Sequence, residues 1–413
     1  MHLIDRIQLS YQALLRQKLR TFLTMVALSI GIASVVIIMS AGKGLEGMVL
    51  SELDIYNPNS LNIEVRIPGK GETGSATGMA TGVTITTLKN TDTEEIAKHS
   101  NVDVTYDYVT GQEVIKYQGE NKTVILFGYG ADAAKVEKME FEDGRFYDKD
   151  EEDSLAQVLV LGCAVKEDLF GQDSPIGKNV YIKGKSYKVV GVMAERGASF
   201  GFDYDSIVYI PTKTIQKRLL GTDYVMGIMA RVIDMERIDE TKEDIEMLLR
   251  ERHNITDPDK DDFKVTTMDE MREMLETIVG GITLLLIALV CISLLVGGVG
   301  ITNIMYVTVA ERTFEIGLRK SLGAKNGDIM WQFLLEAMFL TFAGGVLGTI
   351  LGILISWGVY YGAVSYGLNW TFSVSAFSII LAIGFSTLVG LFFGIYPARK
   401  AADLDPIEAL RRE

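Results

Sequence analysis

Cysteine and histidine are scarce in this chain of 413 residues, which holds two cysteines and three histidines. Cys163 and Cys291 lie in different parts of the chain, the second inside a long apolar run, so no internal disulfide is predicted. His2, His99 and His253 are scattered, and neither an HExxH pattern nor a Cys/His cluster occurs. A zinc site is therefore not expected.

Nucleotide-binding and calcium-binding loops are also lacking. The stretch GQDSPIGKN at 171–179 has the wrong spacing for a phosphate-binding loop, and Asn179 stands where Ser or Thr would be needed. DPDKDD at 257–262 alternates carboxylates, but Asp262 and Met268 replace the glycine and glutamate of a calcium loop. No Walker A motif occurs, so we do not expect this chain to be an enzyme that hydrolyses ATP.

Charged residues are missing from three long segments, 21–42, 277–310 and 337–398. About 20 apolar residues cross a hydrocarbon core of roughly 30 Å, so the first two segments each hold one crossing. The third is too long for one helix and is broken by the polar, aromatic stretch SYGLNWTFSVS at 365–375. We predict four transmembrane helices, at 21–42, within 268–310, at 329–361 and at 374–398.

The same absence of charge excludes some transport mechanisms. Ion-coupled transporters usually need carboxylates, histidines or cations inside the membrane. The second to fourth spans offer none in their interiors, and Glu336 lies near one end of a span. Secondary transport is disfavoured, and four spans without a polar lining make a poor aqueous pore.

The net charge of −14 is unevenly distributed. Residues 42–276 hold 28 basic and 45 acidic residues, a net charge of −17. Basic residues occur on the N-terminal side of the first span, in the segment between spans two and three, and after span four, whereas the loop between spans three and four has none. The positive-inside rule predicts that both termini and residues 310–325 are cytoplasmic and that 43–276 lies outside. The acidic outer region argues against nucleic acid as a partner.

The region between the first two spans, 43–267, predicts a mixed α+β extracytoplasmic domain with two lobes. Short alternating strands are interleaved with helical patterns such as 236–252. The helical pattern then runs unbroken from Met268 to Ala310. At 1.5 Å per residue this is roughly 65 Å, about twice a bilayer core, so we expect a stalk that continues into the second span.

Three smaller helical patterns are predicted on the cytoplasmic side. Residues 1–20 read as an amphipathic helix in the interface. At 399–413, Asp405 caps a helix, Pro406 takes its first position and Glu408 completes a capping box. At 311–325, Phe314, Leu318 and Leu322 form an apolar stripe, and Glu315 and Arg319 form an i,i+4 pair. This last helix is either a docking element or a surface helix at the lipid headgroups.

Glycines recur at four-residue spacing in the last two spans, which permits close helix approach. The expected packing residues, within one chain or across a dimer, are Gly344, Gly348, Gly352, Gly390 and Gly394.

Three stretches resemble the permeases of MacB-type ABC transporters, the FtsX-like family. NIMYVTVAERTFEIGLRKSLGAKNGDI at 303–329 is similar to the segment after the second span of that family. GIYPARKAADLDPIEALR at 394–411 is similar to its C-terminal signature, and VLGCAVKEDLFGQDSPIGKNVYIKGKSYKVVGVM at 160–193 resembles its extracytoplasmic core.

The resemblance implies a permease of the bacterial cytoplasmic membrane that dimerises and binds a cytoplasmic ABC ATPase, which holds ATP and Mg. It implies that ATP-driven closure at the inner face moves the outer domains and drives efflux or release of a drug, peptide or lipoprotein. The implied ATPase-coupling residues are Glu311, Arg312, Phe314, Glu315, Ile316, Leu318, Arg319, Lys320 and Leu322. The implied C-terminal cytoplasmic motif comprises Pro397, Arg399, Asp405, Pro406 and Glu408.

This chain departs from the fused macrolide exporter of the family, because it begins about twenty residues before the first span. We therefore expect the ATPase on a separate polypeptide, a homodimer or a heterodimer with a similar permease, membrane lipid around the spans, and an extracytoplasmic adaptor as a further partner. Two alternatives are an ABC-type regulator of an outer enzyme, such as a cell-wall hydrolase, and a surface receptor without an ATPase.

Overall fold

The computed structural model describes residues 18–53, 56–69, 84–199, 202–366, 368 and 370–411. The amphipathic helix predicted over 1–20 falls mainly on residues 1–17, outside the described part of the chain. The chain divides into two compact units. The helical unit comprises Met1–Gly47, Thr277–Tyr366 and Trp370–Glu413, and the sheet domain comprises Met48–Glu276 with Gly367–Asn369.

Helices and strands alternate in the sheet domain, whereas long helices dominate the helical unit. The helices are α1 (Lys18–Leu53), α2 (Asn90–Ile96), α3 (Ala133–Val136), α4 (Lys149–Asp153), α5 (Cys163–Phe170), α6 (Thr212–Ile215), α7 (Ile238–His253), α8 (Met268–Glu311), α9 (Thr313–Ser321), α10 (Asn326–Ser365), α11 (Ala376–Ala402) and α12 (Pro406–Arg411). The strands are β1 (Ser60–Val65), β2 (Val102–Tyr117), β3 (Glu120–Tyr129), β4 (Phe141–Gly144), β5 (Val158–Leu161), β6 (Asn179–Ile182), β7 (Lys185–Met193), β8 (Ala198–Ser199), β9 (Phe202–Asp203), β10 (Ile207–Pro211), β11 (Gly227–Val232) and β12 (Phe263–Thr267).

Within the described residues, four helices are long and apolar enough to cross a membrane: α1, α8, α10 and α11. Together with the α/β region between the first two, they confirm the predicted fold class. Their bounds exceed the charge-free runs, since α1 continues beyond Gly42 to Leu53. The charges at Lys43 and Glu46 do not end the helix, because they lie one turn apart and pair at 2.7 Å between Nζ and Oε2.

Helix α8 is continuous over 44 residues. Two adjacent glycines, Gly280 and Gly281, could have interrupted the predicted stalk. Both lie within regular helix. A Cβ atom added at either glycine would meet nothing within 4 Å, so neither marks a close approach of another element. The polar stretch 268–276 and the charge-free stretch 277–310 thus belong to one helix.

Small residues on α10 and α11 permit close packing inside the helical unit. A Cβ atom added at Gly348 would lie 2.6 Å from the Ser29 carbonyl oxygen of α1. Gly344 and Gly352 meet the same helix, and Ser29 Oγ donates a hydrogen bond to the Gly344 carbonyl oxygen at 3.0 Å. The remaining two predicted packing glycines lie on α11 against Thr341 and Ala337 of α10: Gly390 and Gly394.

The sheet domain is built on one ten-stranded sheet, in which the described strands run in the order β12-β1-β11-β2-β3-β10-β5-β7-β4 and β6 pairs with β2 and β7. The pairs β3–β10 and β5–β7 are parallel, and the other pairs in this sheet are antiparallel. Mixed pairing with short crossover helices is what an α+β pattern predicts.

Two hydrophobic clusters mark the two lobes that we expected, although one sheet runs through both. The first cluster packs α2 and α7 on β1, β11 and β12, with Ile63, Ile245 and Phe263 buried. The second packs α5 and α6 on β3, β5, β7 and β10, with Leu126 and Val165 buried. A third, tyrosine-rich cluster lies on the opposite face of the sheet. Successive side chains of a strand point to opposite faces, and of the consecutive β3 residues Leu126 belongs to the second cluster and Phe127 packs against the third.

Candidate partner-docking surface

Helix α9 follows α8 almost without a loop. Arg312 separates them with φ −106° and ψ 15°, which turns the chain out of the first helix. At the other end, Gly323 takes φ +94°, a left-handed conformation that suits glycine, and its N–H donates to the Lys320 carbonyl oxygen at 3.0 Å. A short, well-terminated helix results at the residues that the sequence singled out.

One face of α9 is buried against the C-terminal helix α12. Ile316 is 2% exposed, and Thr313 and Gly317 are also buried. A Cβ atom added at Gly317 would lie 2.7 Å from the Ala409 Cβ atom, so two small residues set the distance between the helices. The two motifs that the sequence presented separately therefore form one surface.

The opposite face of α9 is apolar and exposed. Phe314, Leu318 and Leu322 are 54%, 47% and 81% exposed, and Ile407 on α12 is 77% exposed. Large apolar side chains that are exposed along one face of a helix are typical of a protein or membrane contact. We call Phe314, Leu318 and Leu322 the apolar row.

The charged residues of α9 bind neighbouring elements and fix the orientation of the helix. Arg319 donates from Nη2 to Glu315 Oε1 at 2.5 Å and from Nη1 to Gln332 Oε1 on α10 at 2.6 Å. Arg312 donates from Nη1 to Glu336 Oε2 at 3.2 Å, and Glu336 and Gln332 are only 4% and 5% exposed. Charge-assisted hydrogen bonds to buried partners hold α9 on α10.

Lys320 anchors α9 to the end of α11. Its Nζ donates to the Ala402 and Leu404 carbonyl oxygens at 2.8 Å and 2.6 Å. The last carbonyl groups of a helix have no intrahelical partner and carry negative partial charge, so a lysine stabilises them. Of the nine predicted coupling residues, Arg312, Ile316, Arg319 and Lys320 thus contact other elements of the unit. Glu315 pairs with Arg319 within α9, and the Glu311 side chain is exposed.

The C-terminal motif divides between α11 and α12. Asp405 accepts a hydrogen bond on Oδ1 from the Ile407 N–H at 2.7 Å, and Pro406 opens α12, with Glu408 in its first turn. Arg399 is exposed near the end of α11, and its Nε lies 4.0 Å from Asp403 Oδ2.

Pro397 lies inside α11 and is buried. Proline lacks an N–H group, so the carbonyl four residues earlier, at Phe393, loses its intrahelical donor. Thr302 Oγ1 on α8 donates to that carbonyl oxygen at 3.0 Å. The proline thereby creates a contact between two membrane helices.

Sequence reasoning missed the residues that position the apolar row. Gln332, Glu336 and Ala409 are distant in sequence from α9, and their pairing depends on how three helices meet. The available sequence signal was the small residue Gly317 at the centre of an otherwise bulky helix. Among the described residues, no group of three or more His, Cys, Asp or Glu side chains is arranged to hold a metal ion.

Four apolar helices, an α/β domain between the first two and a charged helix between the second and third define a multi-pass membrane permease. Two family models match the chain: the MacB-like periplasmic core domain over residues 21–248, and the FtsX-like permease C-terminal region over residues 287–406. The chain belongs to this MacB-like, FtsX-like family of ABC transporter permeases.

Two curated relatives are named as macrolide export ATP-binding/permease protein MacB. The protein from Chlorobaculum tepidum is 36% identical over 98% of this chain, and that from Chlorobium luteolum is 37% identical over 99%. This chain covers 61% and 60% of their lengths, so it spans about three fifths of the relatives that it matches. A crystal structure of the periplasmic region of MacB from Actinobacillus actinomycetemcomitans is 22% identical, with a TM-score of 0.46, and covers 55% of this chain and 97% of its own.

Proposed function

We propose that the chain is the permease subunit of an ABC transporter and that a cytoplasmic ATPase binds the apolar row. The supporting observation is that Phe314, Leu318 and Leu322 are exposed while their own helix is fixed by buried partners. A rigid helix with an unburied apolar face suits insertion into a groove of a partner protein. ATP and Mg would be held by that ATPase.

The orientation that this proposal requires agrees with the charge distribution. By the positive-inside rule, the basic residues on α9 and at the end of α11 favour a cytoplasmic position for both termini and α9, with the acidic sheet domain outside. The nine predicted coupling residues and the five residues of the C-terminal motif would then all face the ATPase side.

Substrate movement would be driven by mechanotransmission. Helix α8 is continuous from Met268 to Glu311, and a continuous helix can carry movement along its length. The charge-free spans offer no lining for a polar substrate within the bilayer, which favours efflux or release from the outer side. We propose a homodimer, or a heterodimer with a similar permease, with lipid around the spans and an extracytoplasmic adaptor.

The double variant Phe314→Asp, Leu318→Asp tests the docking proposal. Burying two such side chains stabilises a complex by roughly 3–6 kcal/mol, so we expect affinity for the ATPase to fall about a hundredfold or more. Binding of the purified full chain in nanodiscs to the ATPase would be measured by surface plasmon resonance. The matched control is Ile233→Asp with Met247→Asp, the same change at residues 65% and 61% exposed in the sheet domain.

Unchanged ATPase binding by the first variant would contradict the docking proposal, as would equal loss in the control. The regulator alternative predicts an additional partner, because a cell-wall hydrolase would then copurify with the chain as well as the ATPase.

A further inference from the structure

The sheet domain contains a polar cavity of about 380 Å³. Its walls come from α2, α3, α4 and α6, from β2 and from the residues that follow β3, and eight of its sixteen lining residues are charged. Small-molecule sites in proteins have volumes of roughly 300–1,000 Å³ and hold the ligand with a few placed polar groups. We call this cavity the acidic pocket.

Glu152 on α4 offers an open acceptor in this pocket. The residue is 8% exposed, and its Oε2 accepts a hydrogen bond from the Ala131 N–H at 2.8 Å, which fixes the carboxylate. Its Oε1 has no hydrogen-bond partner among the described residues and remains accessible to solvent. One oxygen of Glu152 is thus held in place, and the other is free to accept from a ligand.

The lysines of the pocket wall do not neutralise Glu152. Lys135 and Lys213 pair with neighbouring aspartates, with Nζ–Oδ1 distances of 2.6 Å and 2.7 Å. Lys149 lies one turn before Glu152 on α4, with its side chain exposed. Among the described residues, no lysine or arginine forms an ion pair with Glu152. A buried carboxylate in this position is stabilised by any cation that can reach it.

The other acids of the wall increase the negative charge around Glu152. These four carboxylates belong to Glu94, Asp103, Asp107 and Asp132. Asp107 is 6% exposed, and its Oδ2 accepts from Asn90 Nδ2 at 2.7 Å and from Thr93 Oγ1 at 3.2 Å. It therefore contributes charge without having to contact a ligand. Five acids and three lysines line the pocket, and this excess of negative charge favours a cation.

The same surroundings determine when Glu152 is ionised. Burial is the main reason that the pKa of Glu152 rises to about 7. The Asp107 and Asp153 carboxylates also raise this pKa, whereas the Ala131 N–H group and the Lys213 ammonium group lower it. A cation bound at Oε1 favours the ionised form, so binding of a cation and loss of the Glu152 proton favour each other.

We propose that the acidic pocket binds the primary ammonium group of a small hydrophilic molecule. This group is compact and carries three donors, one of which donates to Glu152 Oε1. The rest of the molecule is polar and faces the charged and hydroxyl-bearing side chains of the wall. If this molecule is what the transporter moves, the inference rests on the proposed function, but the binding itself does not require an ATPase.

The test uses the full chain in phosphatidylcholine nanodiscs and saturation-transfer NMR at pH 8, with empty nanodiscs subtracted. The probes are 2-(2-aminoethoxy)ethanol, which is protonated at this pH, and diethylene glycol, in which a hydroxyl group replaces the ammonium group. We expect the amine to bind at least about tenfold more tightly than the diol, because hydrogen bonds between charged groups contribute the larger energies.

The pH dependence provides a second readout. Since the pKa of Glu152 is about 7, amine binding should weaken about tenfold between pH 8 and pH 6, as the carboxylate takes up its proton. Binding of the diol should not change in this way. Glu152→Gln keeps an acceptor for the Ala131 N–H, and it should weaken amine binding about tenfold at pH 8 and remove the pH dependence.

A control variant and a blocking variant locate the site. Glu140→Gln, the same change at an exposed position of the sheet domain, should leave amine binding unchanged. Ala97 lines the pocket and is exposed, so Ala97→Trp should obstruct the cavity and abolish binding without touching Glu152. Equal binding of the two probes, or amine binding that neither Glu152→Gln nor Ala97→Trp changes, would overturn the proposal.

The source of the amine and the proposed function are separated by two further arms. Weaker probe binding in nanodiscs that include phosphatidylethanolamine would identify a lipid amine as the occupant, and unchanged binding a soluble amine. ATPase binding is measured on the same samples. A chain that binds the ATPase but not the amine would refute this inference alone, and one that binds the amine but not the ATPase would refute the proposed function alone.

Discussion

At the residue scale, His253 lies between two carboxylates in the sheet domain. Its Nδ1 is 2.8 Å from Asp262 Oδ1, and its Nε2 is 3.5 Å from Asp92 Oδ2. The hydrogen bond to Asp262 and then the nearby Asp92 carboxylate raise the pKa of His253 to about 9, against the opposing effect of burial. Burial is the largest single effect on the pKa values of Asp92 and Asp262 and raises both. The pKa values are nevertheless lowered, because His253 acts together with Arg252 and the Lys89 N–H on Asp92, and together with Thr87 on Asp262.

These pKa shifts predict how stability depends on pH. The contribution of His253, on the order of 2–3 kcal/mol, should be complete below its unfolded pKa near 6.5 and should be lost as the pH rises through about 9. The contribution of the two aspartates should be present at neutral pH and should be lost as the pH falls below their ordinary value near 3.8. Hydrogen exchange in α7 and β12 would measure both changes.

His253→Gln should remove the loss of protection at high pH while lowering protection at pH 7. If exchange in α7 accelerated between pH 7 and 10 equally in the variant and in the natural chain, the ion-pair explanation would be wrong.

Thr302 provides a second residue-scale prediction, because its hydroxyl satisfies the carbonyl group that Pro397 leaves free. Thr302→Val should destabilise the helical unit by about 0.5–1.5 kcal/mol, the range measured for hydrogen bonds between membrane helices. Thr302→Ser keeps the donor and should cost less. Thermal unfolding in detergent would measure both, and an equal loss in the two variants would contradict the role of the hydroxyl.

Gly348 and Gly358 form a matched pair on α10. A Cβ atom at Gly348 would approach the Ser29 carbonyl oxygen to 2.6 Å, whereas one at Gly358 would meet nothing within 4 Å. Gly348→Ala should therefore destabilise the unit by about 1–3 kcal/mol through overpacking. Gly358→Ala should be neutral or stabilising, since alanine favours helix. The same thermal unfolding assay compares them, and similar midpoints would refute the close α1–α10 contact.

At the scale of elements, the contact between α9 and α12 determines the docking surface. Gly317→Ala should push the helices apart, because the added Cβ would lie 2.7 Å from the Ala409 Cβ. Removing the opposing methyl group with Ala409→Gly should restore the contact in the double variant. Hydrogen-exchange protection of Pro406–Arg411 reports the contact, and a double variant no better than Gly317→Ala would contradict this packing.

Helices could be predicted from the sequence where a single local pattern, such as a charge-free run or helical spacing of apolar residues, defines them. Charge-free runs identified four membrane helices, but the ends of α1 were missed because Lys43 and Glu46 pair within the helix instead of ending it. The apolar stripe of Phe314, Leu318 and Leu322 could be read from helical spacing. The strand order could not, because pairing such as β1 with β11 joins residues about 170 positions apart.

The residues that hold α9 in place could not be predicted from local sequence either. Gln332 and Glu336 read as ordinary polar residues near the end of a span, and their role emerges only when α9 lies across α10.

At the scale of the whole molecule, the proposed function requires a second protein. The exposed apolar row, the continuous helix α8 and the charge-free spans support a permease driven from the cytoplasmic side. The chain spans about three fifths of the length of the relatives that are named as ATP-binding/permease proteins.

The most direct measurement is a pulldown of the tagged full chain from native membranes in mild detergent, followed by mass spectrometry of the proteins that copurify. We predict an ATPase with a Walker A motif at a stoichiometric level, and its loss when Phe314 and Leu318 are both replaced by aspartate. Recovery of an intact, folded chain without any ATPase would contradict the proposed function and would favour a receptor role for the sheet domain.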